Sequence, residues 1–172
     1  GLATFIGGIH PFEGKELSED KPIKYLEPLQ GEVMVYPLSQ HIGAPAKPLV
    51  AKGDHVLKGQ IIAEAGGFIS ANVLSSVSGT VKGIESKLVA NGAMVQSILV
   101  ENDGEEEAIE GFGTDRDASK LSKEEIRQIV KDAGIVGLGG AGFPTHVKLT
   151  PKDENAIDYV IVNGAECEPY LT

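Results

Sequence analysis

Over most of this chain, apolar and polar positions alternate in short bursts, and only near residue 122 does the pattern switch to a helical period. Val33-Met34-Val35-Tyr36 reads as a strand, and Pro37, Pro45 and Pro48 bound the loop that follows. Between Lys52 and Ile62, two turn signals, Gly53-Asp54 and Gly59-Gln60, frame short apolar stretches. The stretch from Asn91 to Val100 is a weaker echo: each copy sets a Gly three residues before a Val (Gly53 and Val56, Gly92 and Val95), with a strand to follow. Between the copies, Ser78-Gly79-Thr80-Val81-Lys82-Gly83-Ile84 is another turn and strand. Two related halves of short strands predict a pseudo-symmetric flattened barrel over 31–102. Residues 1–30 show little periodicity, and His10-Pro11, Lys21-Pro22 and Glu27-Pro28 each bias the preceding residue away from helix. An extended N-terminal arm is expected there.

The helical period runs over 122–133. Ser122 is a favourable N-cap, Glu125 completes a capping box, and Leu121 and Ile126 take the staple positions. Ile126, Ile129, Val130 and Ala133 fall on one face. Gly134 stands where a left-handed residue closes a helix. Residues 103–120, with Asp103-Gly104-Glu105-Glu106-Glu107 and Gly111-Phe112-Gly113-Thr114-Asp115, read as an acidic, solvated linker. After the helix come Ile135-Val136, a glycine run, Lys148, a polar turn and an apolar strand, Tyr159-Val160-Ile161-Val162. That order is the opening of an α/β domain over 121–172. One helix and one strand cannot close a parallel sheet, so the chain is expected to be a fragment of a longer protein.

Composition narrows the class. The chain has 172 residues, 41% of them hydrophobic, with no Trp and 5% aromatics, so its core must be built from Val, Ile, Leu and Ala. A formal net charge of −10 argues against nucleic acid as a partner. A single Cys excludes an internal disulfide. No apolar run approaches the ~18 residues of a membrane span, and the N-terminus lacks the basic region of a signal peptide. The sequence reads as a soluble, cytosolic chain able to dock on a membrane complex. Cys167 alone cannot hold an iron–sulfur cluster, which takes four ligands. His10, His41, His55 and His146 show no ligand spacing, so no metal site is expected.

Two segments carry the candidate chemistry. Gly137-Leu138-Gly139-Gly140-Ala141-Gly142-Phe143-Pro144-Thr145 is a run that no packed helix or strand would choose, because each Gly loses more backbone entropy on folding than any other residue. Its N–H groups can form a concave nest for phosphate. Asn163-Gly164-Ala165-Glu166-Cys167-Glu168-Pro169 places an amide and two carboxylates past an apolar strand, where ligands bind in open α/β sheets. Together they suggest one site for a phosphate-bearing cofactor. The plain reading of Phe143 is a core anchor, of Lys148 a surface lysine and of Glu168 the end of the strand.

Three resemblances sharpen this picture. Gly53-Asp54-x-Val56-x-x-Gly59-Gln60 and Ser78-Gly79-Thr80-Val81 resemble the biotinyl/lipoyl carrier domain. In carriers, a Lys at the hairpin tip between these motifs takes the cofactor; here that hairpin, from Glu64 to Asn72, contains no Lys. The resemblance therefore implies the fold without the swinging arm. Gly-Leu-Gly-Gly-Ala-Gly-Phe-Pro-Thr-x-x-Lys, ending at Lys148, with Asn163-x-x-Glu166-x-Glu168-Pro169, resembles the NADH-oxidising flavoprotein subunit of respiratory complex I. It departs from that pattern at Leu138, Ala165 and Pro151, where an Arg, an Asp and an aromatic would stand. Gly7-Gly8-Ile9-His10-Pro11, Pro37-Leu38-Ser39-Gln40-His41-Ile42-Gly43-Ala44, the barrel and Ala165-Glu166-Cys167-Glu168-Pro169-Tyr170 together resemble the RnfC family. Its members are subunits of the Rnf electron-transport complex, an ion-translocating ferredoxin:NAD oxidoreductase.

That family implies an α+β chain: a small all-β barrel-sandwich hybrid followed by the start of an α/β Rossmann-like domain. It implies electron transfer between NAD(H), FMN and 4Fe–4S clusters, the clusters lying beyond Thr172. By the same resemblance, Gly137, Gly139, Gly140 and Gly142 let the backbone approach FMN or the nucleotide, Phe143 stacks on adenine, and Lys148 pairs with phosphate. Asn163 bonds the flavin, and Glu166 and Glu168 line the nicotinamide side and contact ribose. The implied partners are the other subunits of the bacterial membrane complex and, indirectly, ferredoxin, at the cytoplasmic face of the membrane. This piece alone is expected to bind FMN and NADH poorly and to be inactive. The alternative from another class is a non-catalytic docking module.

Overall fold

A long two-stranded ribbon organises the fold. Strands β6 (Gly79–Leu88) and β7 (Met94–Asn102) pair antiparallel from Leu88↔Met94 at the tip to Gly79↔Asn102 at the base. The tip turns at Gly92, which takes φ +81°. A bulge between Val81 and Gly83 leaves Lys82 opposite no residue of β7 and bends the ribbon. Strand β1 (Val33–Pro37) pairs with β7, and β3 (His55–Val56) pairs with β6, giving a four-stranded antiparallel sheet in the order β1-β7-β6-β3. A second sheet holds β2 (Lys47–Pro48), β4 (Ile61–Glu64) and β5 (Val73–Leu74) in the order β2-β4-β5. Between the two sheets sits a core of Tyr36, Leu38, Val56, Ile62, Val73, Val77, Val81, Ile98 and Val100. This is the expected barrel-sandwich hybrid, with an aliphatic core.

The computed structural model describes residues 12–164. Pro28–Glu154 forms one unit, to which everything in this subsection belongs unless stated; the described parts of the other are 12–27 and 155–164. The turn glycines read from the sequence are in place: Gly53 (φ +97°) and Gly59 (φ +84°) take left-handed conformations. Tyr36 anchors the barrel interior, its hydroxyl accepting from the Ser76 N–H at 3.0 Å.

Helix α1 (Lys123–Asp132) carries the predicted caps. The Ser122 hydroxyl accepts from the Glu125 N–H at 3.2 Å, and the Glu125 carboxylate accepts from the Ser122 N–H at 2.8 Å. At the other end, Gly134 (φ +63°) donates to the Lys131 carbonyl and Ile135 to that of Val130, the paired bonds of a Schellman motif. Gly134 is also a contact point with the barrel: a methyl group there would lie 2.4 Å from the Asn72 carbonyl oxygen. A short helix, α2 (Thr145–Lys148), follows. It is tied back to α1 by Arg127, which donates to the Leu149 carbonyl and pairs with Glu154. Glu154 is held below the ordinary carboxylate range first by Lys123 and then by Arg127.

Two expectations need correction. No strand forms over Tyr159–Val162 in the second unit, where all four side chains are largely exposed. A strand exists through its ladder, and none of the described residues pairs with this one. The acidic stretch after the barrel is also more than a spacer. The Lys58 N–H donates to the Glu107 carbonyl, the Lys58 carbonyl accepts from the Ile109 N–H, and Lys58 pairs in parallel with Ala108. Phe112 then packs so closely on Gly59 that a methyl there would lie 2.6 Å from the ring.

The end of β7 rests on one buried amide. Asn102 donates to the carbonyls of Pro28 and Leu29, each at 3.1 Å, and accepts from the Gly104 N–H at 3.1 Å. Asn102→Ala strands all three groups, and we expect it to lower the unfolding free energy by about 1–3 kcal/mol, read by denaturant titration.

Candidate functional site

The glycine run is a closed loop stapled at its neck. Val136 and Pro144 form an antiparallel bridge, Gly137 donates to the Phe143 carbonyl at 2.9 Å, and Thr145 donates to the Ile135 carbonyl at 3.0 Å. Helix α1 supplies one leg of the neck and α2 the other. Within the loop Gly140 (φ +59°) and Gly142 (φ +61°) take left-handed conformations that a side chain would strain. The N–H groups of Leu138, Gly139, Gly140 and Ala141 donate to no acceptor among the described residues. Four successive open amides are the raw material of an anion nest.

The loop does not stand alone. Its Ala141 carbonyl accepts from the Ile42 N–H at 3.0 Å. Gly142 lies against the barrel so tightly that a methyl there would be 2.8 Å from the Gln40 carbonyl oxygen and 3.2 Å from the His41 Cα. A cleft of about 570 Å³ opens between the loop, the 37–42 segment and the β6–β7 tip at Val89, Ala90 and Asn91. The barrel thus forms one wall of the candidate site.

The predicted residues divide by what the structure does with them. Gly137 and Gly139 take no left-handed φ, and an added methyl would make only ordinary contacts at Gly137 and none within 4 Å at Gly139. Gly137 lines the cleft, and the space beside Gly139 is open. Gly142, expected to admit the cofactor, lines the cleft and also packs against Gln40 and His41. Phe143 is half-buried, with the Lys148 ammonium 6.0 Å from its ring centroid. A methyl at Gly137 would lie 3.5 Å from that same ammonium, so Lys148 carries its charge over the neck of the loop. Leu138 is fully exposed. Asn163 belongs to the other unit, and Glu166 and Glu168 lie outside the described residues, as do Cys167 and His10.

Sequence reasoning gave no role to Gln40, His41 or Ile42. The available signal was Gly43, directly after them: a methyl there would lie 2.1 Å from the Ile69 carbonyl oxygen, which marks a segment clamped from behind. Among the described residues no group of three or more His, Cys, Asp or Glu side chains is placed to hold a metal, and no helix is long and apolar enough to cross a membrane.

Two family models match the chain. Residues 3–105 match the model of the RnfC barrel sandwich hybrid domain, and residues 130–172 match that of the Nuo51 FMN-binding domain. The chain is 47% identical over 171 residues to the C subunit of the proton-translocating ferredoxin:NAD(+) oxidoreductase complex of Clostridium ljungdahlii, covering 99% of this chain and 37% of the relative. It is 45% identical over 172 residues to the Na(+)-translocating counterpart of Acetobacterium woodii, covering 98% and 38%. The C subunit of the ion-translocating oxidoreductase complex of Rhodobacter capsulatus is 42% identical over 168 residues, covering 96% and 32%. The chain therefore spans less than two fifths of the length of these curated relatives.

Beside the loop, His146 on α2 has a buried Nδ1 with no partner among the described residues. Burial, then the nearby positive charge of Lys131, lowers its pKa below 6.5. The folded state therefore binds this proton less readily than the unfolded chain. Its contribution to stability is full above the ordinary histidine value and is lost as the pH falls from there through the lowered one. We expect the thermal midpoint to drop over that acidic window, and His146→Phe to flatten the drop; identical pH profiles for the two proteins would contradict this.

Proposed function

The chain belongs to the RnfC barrel-sandwich-hybrid family, and from that premise we propose that it is part of the electron-transfer subunit of a membrane ion-translocating ferredoxin:NAD oxidoreductase complex. In this reading the subunit works between NAD(H), FMN and iron–sulfur clusters. The observation that carries it is the row of open amides from Leu138 to Ala141, of which Leu138, Gly140 and Ala141 line the cleft, with the Lys148 ammonium over the neck of the loop. A flavin nucleotide suits such a site. Its phosphate needs N–H donors and a cation, and Gly139 leaves the backbone free to be approached.

The residues then take distinct parts. The amides of 138–141 hold the phosphate, and Lys148 adds a point charge to it. Gly137, Gly139 and Gly140 keep the backbone bare, while Gly142 seats the loop on the barrel. Phe143 offers its ring to the adenine of NADH. Asn163 bonds the flavin, and Glu166 and Glu168 contact the nicotinamide side and ribose hydroxyls. When bound, FMN supplies hydride acceptance and single-electron delivery, chemistry that belongs to the cofactor. The 4Fe–4S clusters are assigned to the part of the longer polypeptide that this chain does not span. The subunit sits peripherally on the cytoplasmic face of the membrane, in contact with the other subunits of the complex and indirectly with ferredoxin. Its arm covers 1–30, its barrel 31–102, its acidic connection 103–120 and its nucleotide-binding part 121–172.

Gly139→Val in the full-length protein tests this directly, because nothing in the fold requires Gly at that position. We expect an unchanged thermal midpoint in the flavin-free protein and at least a tenfold loss of FMN affinity, measured by quenching of flavin fluorescence. Full flavin affinity in the variant would overturn the reading.

A further inference from the structure

The hairpin from Glu64 to Asn72, which has no lysine for a cofactor, is built as a bracket. The Ser70 hydroxyl is buried, donates to the Ala44 carbonyl at 2.7 Å and accepts from the Gly66 N–H at 2.9 Å. The Ala44 N–H donates to the Ile69 carbonyl at 3.0 Å, and Gly43 gives that carbonyl the room it needs. Beyond these bonds the hairpin reaches one side chain of the 40–42 segment. The Ala71 N–H donates to Nε2 of His41 at 3.1 Å. An N–H pointed at Nε2 requires a lone pair there, so the ring is neutral with its hydrogen on Nδ1. Nδ1 then donates to the Ile42 carbonyl at 2.9 Å. The next link is the Ile42 N–H, which holds Ala141 in the glycine loop.

We propose that His41 is a positioning residue of the glycine-loop cleft, coupling the armless hairpin to the row of open amides through the backbone of Gln40, His41 and Ile42. The imidazole spans hairpin and segment with one acceptor and one donor and fixes where the Ile42 N–H and the Gln40 carbonyl present themselves to the loop. A shift there displaces Ala141 and Gly142, and with them the amides on which phosphate binding depends. The phosphate rests on the function proposed above; the coupling of hairpin to loop does not.

The test uses the full-length protein and three substitutions that separate the two bonds. His41→Gln can place an acceptor oxygen near the position of Nε2. His41→Asn keeps a donor near Nδ1 but nothing that reaches Ala71. His41→Ala removes both. Two readouts are taken for each: FMN affinity on refilling the flavin-depleted protein, and hydrogen exchange of peptides covering 38–44, 137–143 and the β6–β7 ribbon. We expect His41→Gln to bind FMN within about threefold of the parent, and His41→Asn and His41→Ala to lose about tenfold or more. Exchange should quicken at 38–44 and 137–143 in those two variants while the ribbon is unaffected. Parental affinity and exchange in His41→Asn would overturn the proposal. So would equal losses in all three variants accompanied by faster exchange in the ribbon, which would mark a residue that merely supports the barrel. Should His41→Ala not fold, the Gln and Asn pair decides. If the parent protein binds no FMN but exchange at 137–143 still quickens in His41→Asn and His41→Ala and not in His41→Gln, the positioning role stands and the flavin reading falls.

Discussion

A loop can keep four successive amides open only if the rest of its backbone bonding is satisfied elsewhere. An unpaired N–H is tolerable in solvent or against a ligand, and the chain around it must be held by other bonds or it will close on itself. Here the holding is done at two places. The neck is sewn together by Gly137 with Phe143 and Thr145 with Ile135, and the far side leans on the barrel through Ile42 and Gly142. Remove either support and the run from 138 to 141 becomes an ordinary glycine-rich turn. The site is therefore a property of the junction between barrel and loop rather than of the glycine motif by itself.

Much of this was legible in the residues, for local reasons. Ser122 and Glu125 announce a helix start, and Gly134 its end, because capping depends on side chains only a few positions apart. Gly53, Gly59 and Gly92 mark turns because left-handed backbone selects for them. What was illegible depended on distant partners. Tyr159–Val162 has the composition of a strand, yet a strand is made by its neighbour across the ladder, and the described residues offer none. The acidic charge of 103–107 hid the pairing of Lys58 with Ala108, which uses backbone atoms that no sequence pattern displays. Gly142 reads like its neighbours in the motif, and only the approach of Gln40 tells it apart. His41, judged by metal-ligand spacing alone, gave no sign that both its nitrogens were committed to backbone groups.

The hairpin of the barrel serves as an attachment rather than as a site of acylation. A hairpin tip without an amine cannot be acylated, but its geometry survives. Ser70, Ala71 and Asn72 of that hairpin now face the 41–44 segment and the end of α1, with Asn72 donating to the Asp132 carbonyl at 3.4 Å. The tip at Phe68 stays exposed, while the leg that returns from it is a point of attachment.

The parallel contact of residues 107–109 with Lys58 carries a further meaning for solution behaviour. Lys58 follows β3, an outer strand of the four-stranded sheet. Unguarded rims of this kind invite another polypeptide to add itself in register. A tether bearing Glu105, Glu106 and Glu107 pairs with the backbone of Lys58 there, and Glu106 also pairs with the Lys58 ammonium. A stretch that looks like filler thus covers backbone just beyond an outer strand.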